Sequence, residues 1–589
     1  MAIAQQPVVT GMRASWHEIA ADEKSEVLMT AMKLAGIDRL WFVSGTELGF
    51  FQEAHVKNKV LGRPTPDIMT MTHENACLAA ACGETIVTGR PSATAAHVEV
   101  GLMNYGGAIH NASRGNYPVL MMSGYPPSAE SGSVPGARNS FIQWYQQIRD
   151  QGEIVRQYTK WDHKLASYDN PGTVITRAAQ IMLSGPQGPA YMAVPREVAM
   201  ESVGGSWRFP TLERMQPAAT PAPDPEQLAL AARWLLESEM PVIATSRFGR
   251  NTDAVAALVE LAELLGALVL ADPFRMSFPS FHPLFRGGRE PFPRDVDCAL
   301  LLDVVVPWMP GESEPRPDAK IIALDLDPTQ SMTPIYEFPS DLSITADSAK
   351  AVPALVEVVK RLMTPEQRRR AEARRAAHED AGHRRLAERL DAAKRDGQTA
   401  NLTPRWVSYQ IGQTLGQDAM ILHELTDSSL FNRQQAGTLL GTGGSSIGWS
   451  APAAIGVKVA APDRTVAVAC GDGSWMFANP TVTTWASRAH KAPVLFMVMN
   501  NRGYSTGTRT VVENHPEGYA VRETDFTGGW FDPSPNYAAE AAASGAYGEK
   551  VSDPNEVAPA IQRALGAIQN EGIPAVLEFW LPKHITGEV

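Results

Sequence analysis

Cysteine is scarce in this chain, with four among 589 residues, and none of the four falls in a metal-ligand spacing. Cys77, Cys82, Cys298 and Cys470 lie among apolar or small residues and read as reduced core thiols of a cytoplasmic protein. Positive charge is also short: 52 Lys and Arg against 64 Asp and Glu leave a net charge of -12. Nucleic acid needs clustered cations for its phosphates, so it is not the expected partner. The one basic run, "EQRRRAEARRAAHEDAGHRRLAERLDAAKRD" at 366–396, interleaves acids at helical spacing and reads as a solvated helix. Long apolar runs are missing too. No segment approaches the roughly 18 residues of a membrane span, so no membrane partner is expected. The first twenty residues lack a basic stretch leading into an apolar one, and no signal peptide is expected.

What the chain does have is alternation. Its length calls for several cores. Helical patterns such as "EKSEVLMTAMKLAG" alternate with short apolar strands such as "RLWFVSG" and "YPVLMMSGY". The Pro-rich "MQPAATPAPDPEQ" at 215–227 reads as a linker. Beyond it come strand patterns "PVIAT", "ALVLAD", "CALLLDVVV" and "KIIALDLD", then the Arg-rich helix, then "MILHEL", "TVAVACGDG", "PVLFMVMNN" and "PAVLEFWLP". The expected fold class is α/β, with three doubly wound parallel-sheet domains at 20–205, 225–365 and 400–589. Ligands of such sheets sit at the carboxyl ends of strands.

That rule singles out two stretches of the last block, "VAVACGDGSWMFANP" at 466–480 and "VLFMVMNNRGY" at 494–504. If their strands are neighbours, the Asp472 carboxylate, an Asn amide oxygen and a loop carbonyl converge. Hard oxygens of this kind suit Mg²⁺, which takes phosphate oxygens as further ligands. Gly471 and Gly473 let the backbone turn and approach a diphosphate. A helical segment is expected from about Asn479. The plainer alternative is an Asp-Gly turn and an Asn-rich helix cap. The Gly-rich "GTGGSSIGWSAPAAIGVKVAAPDR" at 441–464 also invites a dinucleotide-loop reading. Such a loop must follow a buried strand, and the preceding "DSSLFNRQQAGTLL" is too polar for one.

Together the two halves resemble the "GDG … NN" signature of thiamine-diphosphate enzymes. The resemblance implies Mg²⁺ held by Asp472, Asn501 and the carbonyl of Gly503, with Gly471, Gly473, Ser474 and Asn501 against the cofactor. The segment 441–464 resembles the one that carries the cofactor's pyrimidine. By that match Ser445 is a contact, and Ile447 is the apolar wedge that holds the bent thiamine. In "LHELTDSSL", Thr426 takes the place of a diphosphate ligand. "MTHENACLAAACGETIVTGRP" at 71–91 resembles the family's glutamate segment. There Glu74 would hydrogen-bond the pyrimidine N1′ and poise the cofactor's own imino group to remove the C2 proton. The alternative is a first-turn glutamate with Thr72 as N-cap. The resemblance further implies pyrimidine-binding, central and diphosphate-binding domains in that order. It also implies a homodimer or a dimer of dimers with active sites at the subunit interface. The central domain of some relatives binds FAD; nothing in this sequence demands it.

Within that family, "GRPSATAAHVEVG" is similar to benzoylformate decarboxylases, which carry a catalytic histidine at the position of His97. Thr46 in "FVSGTELGF" falls at their active-site serine, and His282 in "RMSFPSFHPLFRG" at their second catalytic histidine. An imidazole is a reasonable proton carrier for such chemistry. Ordinary structural histidines are the alternative at both places. The paired histidines and late glutamate of pyruvate decarboxylases are absent, since Gly507 stands at the glutamate's place. Glu99 is a departure from the relatives. So is the stretch 505–535, whose Arg509, Glu513, His515 and Arg522 are candidate substrate contacts or plain loop charges. The expected activity is a benzoylformate decarboxylase-like cleavage of a 2-oxo acid. The alternatives are an acetolactate synthase-like carboligase, a 2-hydroxyacyl-CoA lyase acting on an acyl-CoA, and an inactive scaffold.

Overall fold

A computed structural model of the chain describes residues 15–272, 274–287 and 290–583. Most of the stretch behind the signal-peptide expectation lies outside the described residues. Three six-stranded sheets dominate, and within each every strand pairs in parallel. A short antiparallel ribbon, Trp16–Glu23 with Ser202–Pro210, accompanies the first. Among the described residues, no helix is long and apolar enough to cross a membrane. All four cysteines are buried and unbridged.

The chain divides into two compact units. One holds the described residues up to Thr70, Arg90–Asn104 and Pro118–Ala218. It contains the first sheet, in which Arg39–Phe42 lies between Asp67–Thr70 and Ser92–Ala96. Its four inner strands are short runs buried on both faces, as a parallel sheet under helices requires.

The other unit holds Met71–Gly89, Tyr105–Tyr117 and the described residues from Ala219 onward. Two stretches of the first expected block thus belong with the later sheets. The cause is close helix packing. Helix Glu74–Thr88 lies against helix Ser450–Ala460, and glycines open both surfaces. A Cβ on Gly83 would fall 1.9 Å from the Ala453 carbonyl oxygen, and one on Gly456 would fall 1.8 Å from that of Ala80. Only a bare Cα fits at either crossing.

The middle sheet runs from Phe285–Gly287 through Leu268–Ala271, Pro241–Thr245, Cys298–Leu302 and Lys320–Asp325 to Leu342–Thr345. Helices cover one face. The other face, with Val242, Leu270 and Leu301, is covered by loops whose Phe292, Trp308 and Phe338 rings meet edge to face. The connections 303–319 and 326–341 contain no helix, so this sheet is wound by helices on one side only. The basic run forms helix Pro365–Asp396, started by a Thr364–Gln367 capping box and largely solvated.

Candidate functional site

Strands Val466–Gly471 and Leu495–Asn500 are direct parallel neighbours, from Ala467 opposite Leu495 to Gly471 opposite Met499. Both apolar runs therefore end on one edge, with Asp472 and Asn501 just beyond them. The Asp472 carboxylate accepts the N–H of Gly473 at 2.9 Å through Oδ1 and that of Gly503 at 3.0 Å through Oδ2. It is 1% exposed. Burial pushes its pKa up to about 6, against the pull of the Gly503, Gly473 and Arg502 amides.

The two asparagines face different ways. Asn500 is fully committed: Nδ2 donates to Glu578 and Ser534, and Oδ1 accepts the Arg502 N–H. Asn501 Oδ1 is buried without a hydrogen-bond partner among the described residues. A buried acceptor left open beside a clasped carboxylate is the arrangement a hard cation completes. At Gly471 a Cβ would meet open space, which leaves room beside the backbone; at Gly473 it would press on the Tyr504 ring. These residues fit Mg²⁺ and the diphosphate it carries.

A helix does begin at the expected place, Pro480–Ala489 with Asn479 as its N-cap, and a further short helix that the sequence reading did not foresee precedes it. Asp472–Phe477 forms one short helix, Asn479 turns left-handed at φ 51°, and Pro480 starts a second. Gly471 supplies an extended N-cap, and an acid in the first turn favours the start. Ser474 is buried within that first helix.

Around the Gly-rich segment the organiser is Glu424, at the end of strand Met420–Glu424. Its buried carboxylate accepts the N–H groups of Gly448, Trp449 and Ser450, the last two opening helix Ser450–Ala460. Burial raises its pKa against those same bonds. On the other side, Asn111 accepts the Ser446 N–H at 3.1 Å and donates to the Ser446 carbonyl at 2.8 Å. Half-buried Ile447 is held between these clamps. Exposed Ser445 places its hydroxyl 3.0 Å from His110 Nε2. Half-buried Thr426 donates to the Ala469 carbonyl at 3.4 Å. It follows Leu425, whose φ of 55° is strained for a branched residue.

Glu74 is the first residue of its helix and is buried. The N-cap is His73, not Thr72: His73 Nδ1 accepts the Asn75 N–H at 3.2 Å. Glu74 lies close enough to the Cys77 thiol to add to the rise in pKa that burial gives it.

Thr46 and His97 come together at the carboxyl ends of the adjacent strands Arg39–Phe42 and Ser92–Ala96. Both face Glu47, whose Oε2 accepts the Thr46 hydroxyl at 2.5 Å and lies 3.1 Å from His97 Nδ1. Glu99 is buried beyond a strained Val98 at φ 29°. Its pKa is raised by burial first and by the charge of Glu47 as well, against its local backbone amides. His282 belongs to the other compact unit, in the chain's middle block. It faces Glu263 at 3.3 Å, accepts the Leu284 N–H and meets Phe278 edge-on. The segment after Tyr504 forms helices Ser505–Asn514 and Tyr519–Arg522. In them Arg509 faces Glu513 at 3.5 Å, and Arg522 lies 3.9 Å from Glu517.

Glu424, Asn111 and Glu47 escaped the sequence reading. Glu424 and Glu47 had a signal, a carboxylate beside an apolar strand end; Asn111 had none.

Residues 416–579 match the family profile described as "Thiamine pyrophosphate enzyme, C-terminal TPP binding domain", and residues 23–154 match its N-terminal counterpart. Together they span half of the chain. Benzoylformate decarboxylase of Pseudomonas aeruginosa is 25% identical over 451 residues, covering 73% of this chain and 78% of that protein. The acetolactate synthase large subunit of Corynebacterium glutamicum is 23% identical over 534 residues, covering 86% and 79%. Among solved structures, the thiamine diphosphate-dependent 4-hydroxybenzoylformate decarboxylase of Rhodococcus jostii RHA1 superposes with a TM-score of 0.72 at 20% identity. That match covers 96% of this chain and 100% of the other.

Proposed function

The chain belongs to the thiamine pyrophosphate enzyme family, and on that premise we propose that it is a Mg²⁺-dependent decarboxylase of 2-oxo acids, similar in action to benzoylformate decarboxylase. The observation that carries the metal assignment is the open acceptor of Asn501 beside the Asp472 carboxylate. Asp472, Asn501 and the Gly503 carbonyl would hold Mg²⁺, which would bind the diphosphate. Gly471, Gly473, Ser474 and Thr426 would line that diphosphate, and Ser445 and Ile447 the ring portion. Bound there, thiamine diphosphate supplies a carbon nucleophile and an electron sink for the decarboxylated acyl group.

The chain's own residues do the rest. Glu74, buried at a helix start, would hydrogen-bond the pyrimidine ring and fix its protonation state. His97 takes up and returns a proton at Nε2, the ring nitrogen opposite the one facing Glu47. Thr46, beside it, orients the substrate carboxylate or carbonyl through its hydroxyl. His282, in its contacts with Glu263 and Phe278, acts here as a secondary candidate only. Its place in the reaction would require those contacts to give way. The working unit is a homodimer or dimer of dimers. Phe141, Trp144 and Tyr145, exposed at 73%, 57% and 81% on one short turn, support a surface that another protomer covers. Four buried, unbridged cysteines suit a reducing cytoplasm.

The test is CO₂ release by the protein with thiamine diphosphate and Mg²⁺ from a panel of benzoylformate, pyruvate and branched-chain 2-oxo acids. Benzoylformate is the expected substrate. Acetolactate formed from pyruvate would move the assignment to the carboligases, which the likeness to the acetolactate synthase large subunit keeps in view. Silence on every acid would overturn the decarboxylase reading in favour of acyl-CoA lyase chemistry.

A further inference from the structure

Glu47 is wholly buried, at 0% exposure, in a loop that no cofactor motif covers. A carboxylate in such a place needs donors, and it has two, with the His97 ring beside them. Thr46 donates its hydroxyl to Oε2, Gln143 donates Nε2 to Oε1 at 2.9 Å, and His97 Nδ1 lies 3.1 Å from Oε2. The His97 contact is within ion-pair range but off the line of a good hydrogen bond. Gln143 is itself held, accepting the N–H groups of Asn139 and Ser140. Gly45 makes the approach feasible, since a Cβ there would fall 2.4 Å from His97 Nδ1.

We propose that Glu47 is the positioning residue of His97: its carboxylate keeps a proton on Nδ1 and so leaves the Nε2 lone pair to accept and return the proton of the reaction. The inference rests on the reading of His97 as the proton carrier. The balance is simple. Nε2 gains one proton and gives the same one back, Nδ1–H stays in place, and Glu47 remains the acceptor throughout. The buried Glu99, on helix Val98–Asn104, is a second acid close enough to Glu47 to feel its charge.

Diethyl pyrocarbonate acylates only the neutral imidazole. The pH at which His97 becomes half-reactive, read by peptide mass spectrometry on the protein loaded with thiamine diphosphate and Mg²⁺, therefore reports its proton affinity. Glu47→Gln is expected to lower that midpoint, because the carboxylate facing Nδ1 is lost. Glu47→Asp keeps the charge and is expected to retain most of the parent midpoint; it also serves should the Gln variant not fold. An unchanged midpoint in folded Glu47→Gln, or equal midpoints for Glu47→Asp and Glu47→Gln, overturns the proposal. Benzoylformate turnover by His97→Ala separates the two ideas. If turnover survives, the proton-carrier reading fails, whereas the pairing is judged by the labelling alone.

Discussion

The carboxylate of Glu424 accepts the Gly448 N–H at 2.5 Å, and with it the amides of Trp449 and Ser450 at 3.1 and 2.9 Å. One side chain at a strand end thus fixes where the Gly-rich segment stops and its helix starts. Glu424→Ala leaves three buried donors unanswered. At about 1–3 kcal/mol for a buried group left unsatisfied, a loss of roughly 3 kcal/mol is expected after partial rehydration. Urea unfolding measures it, and thiamine diphosphate titration should show weaker binding because Ile447 is no longer held. A parent-like unfolding midpoint would refute the anchoring role.

Asp472→Ala and Asn501→Ala each remove an oxygen from the proposed metal site. Losing a direct ligand should cost more than the roughly 10–100-fold typical of an outer-shell partner. Tryptophan fluorescence titration with thiamine diphosphate, run with and without Mg²⁺, reads the effect. Tight Mg²⁺-dependent binding by Asp472→Ala would sink the assignment. Asn500→Ala is a different case. Its side chain ties Glu578, Ser534 and the Arg502 amide, so it should lower the melting temperature more than it changes metal dependence.

Gly83→Ala sets two effects against each other. Alanine is the better helix former by about 1 kcal/mol, but its Cβ would sit 1.9 Å from the Ala453 carbonyl oxygen. Overpacking costs about 1–3 kcal/mol or more, so the clash wins and the melting temperature falls. Gly566→Ala is the control, in helix Val557–Glu571, where the nearest atom to a new Cβ is 3.9 Å away. There the propensity gain stands alone and the melting temperature rises. Equal responses at both positions would mean the helices are not in close contact.

Glu99 gives the pH dependence. Its folded pKa is raised from the usual glutamate value of 4.5 by burial and by Glu47. Between those two values the folded state binds more protons than the unfolded one, so this contribution to stability is lost as pH rises through the folded value. Glu99→Gln should therefore melt higher than the parent at pH 7. The gap should close as pH falls towards 4.5, where the parent's own side chain is protonated. A gap that is constant over that range would point to packing.

The parts of the site that a linear reading found are those written in consecutive residues. Asp472 and Asn501 each follow an apolar strand, and neighbouring parallel strands bring their ends to one edge. The parts it missed depend on residues far apart in the chain. Asn111 clamps Ser446 across 335 positions, and nothing near either residue announces the pairing. The start of the helix at Asp472 was masked because two glycines read as a turn. The loop-covered face of the middle sheet was masked because its strands are as apolar as helix-covered ones. His73 capped a helix in place of Thr72 because an imidazole nitrogen can accept an amide as a hydroxyl does.

The glycine contact between helices Glu74–Thr88 and Ser450–Ala460 also sets a timetable for biosynthesis. Its two halves are separated by roughly 370 residues of chain. At a ribosomal rate of about 5–20 residues per second, the earlier helix waits tens of seconds for its neighbour to be made. During that interval an Ala- and Cys-rich surface, from Ala76 to Cys82, has no native cover from its later partner. Conditions that slow elongation between residues 90 and 450 should therefore lower the yield of soluble chain, whereas equal slowing after residue 460 should not.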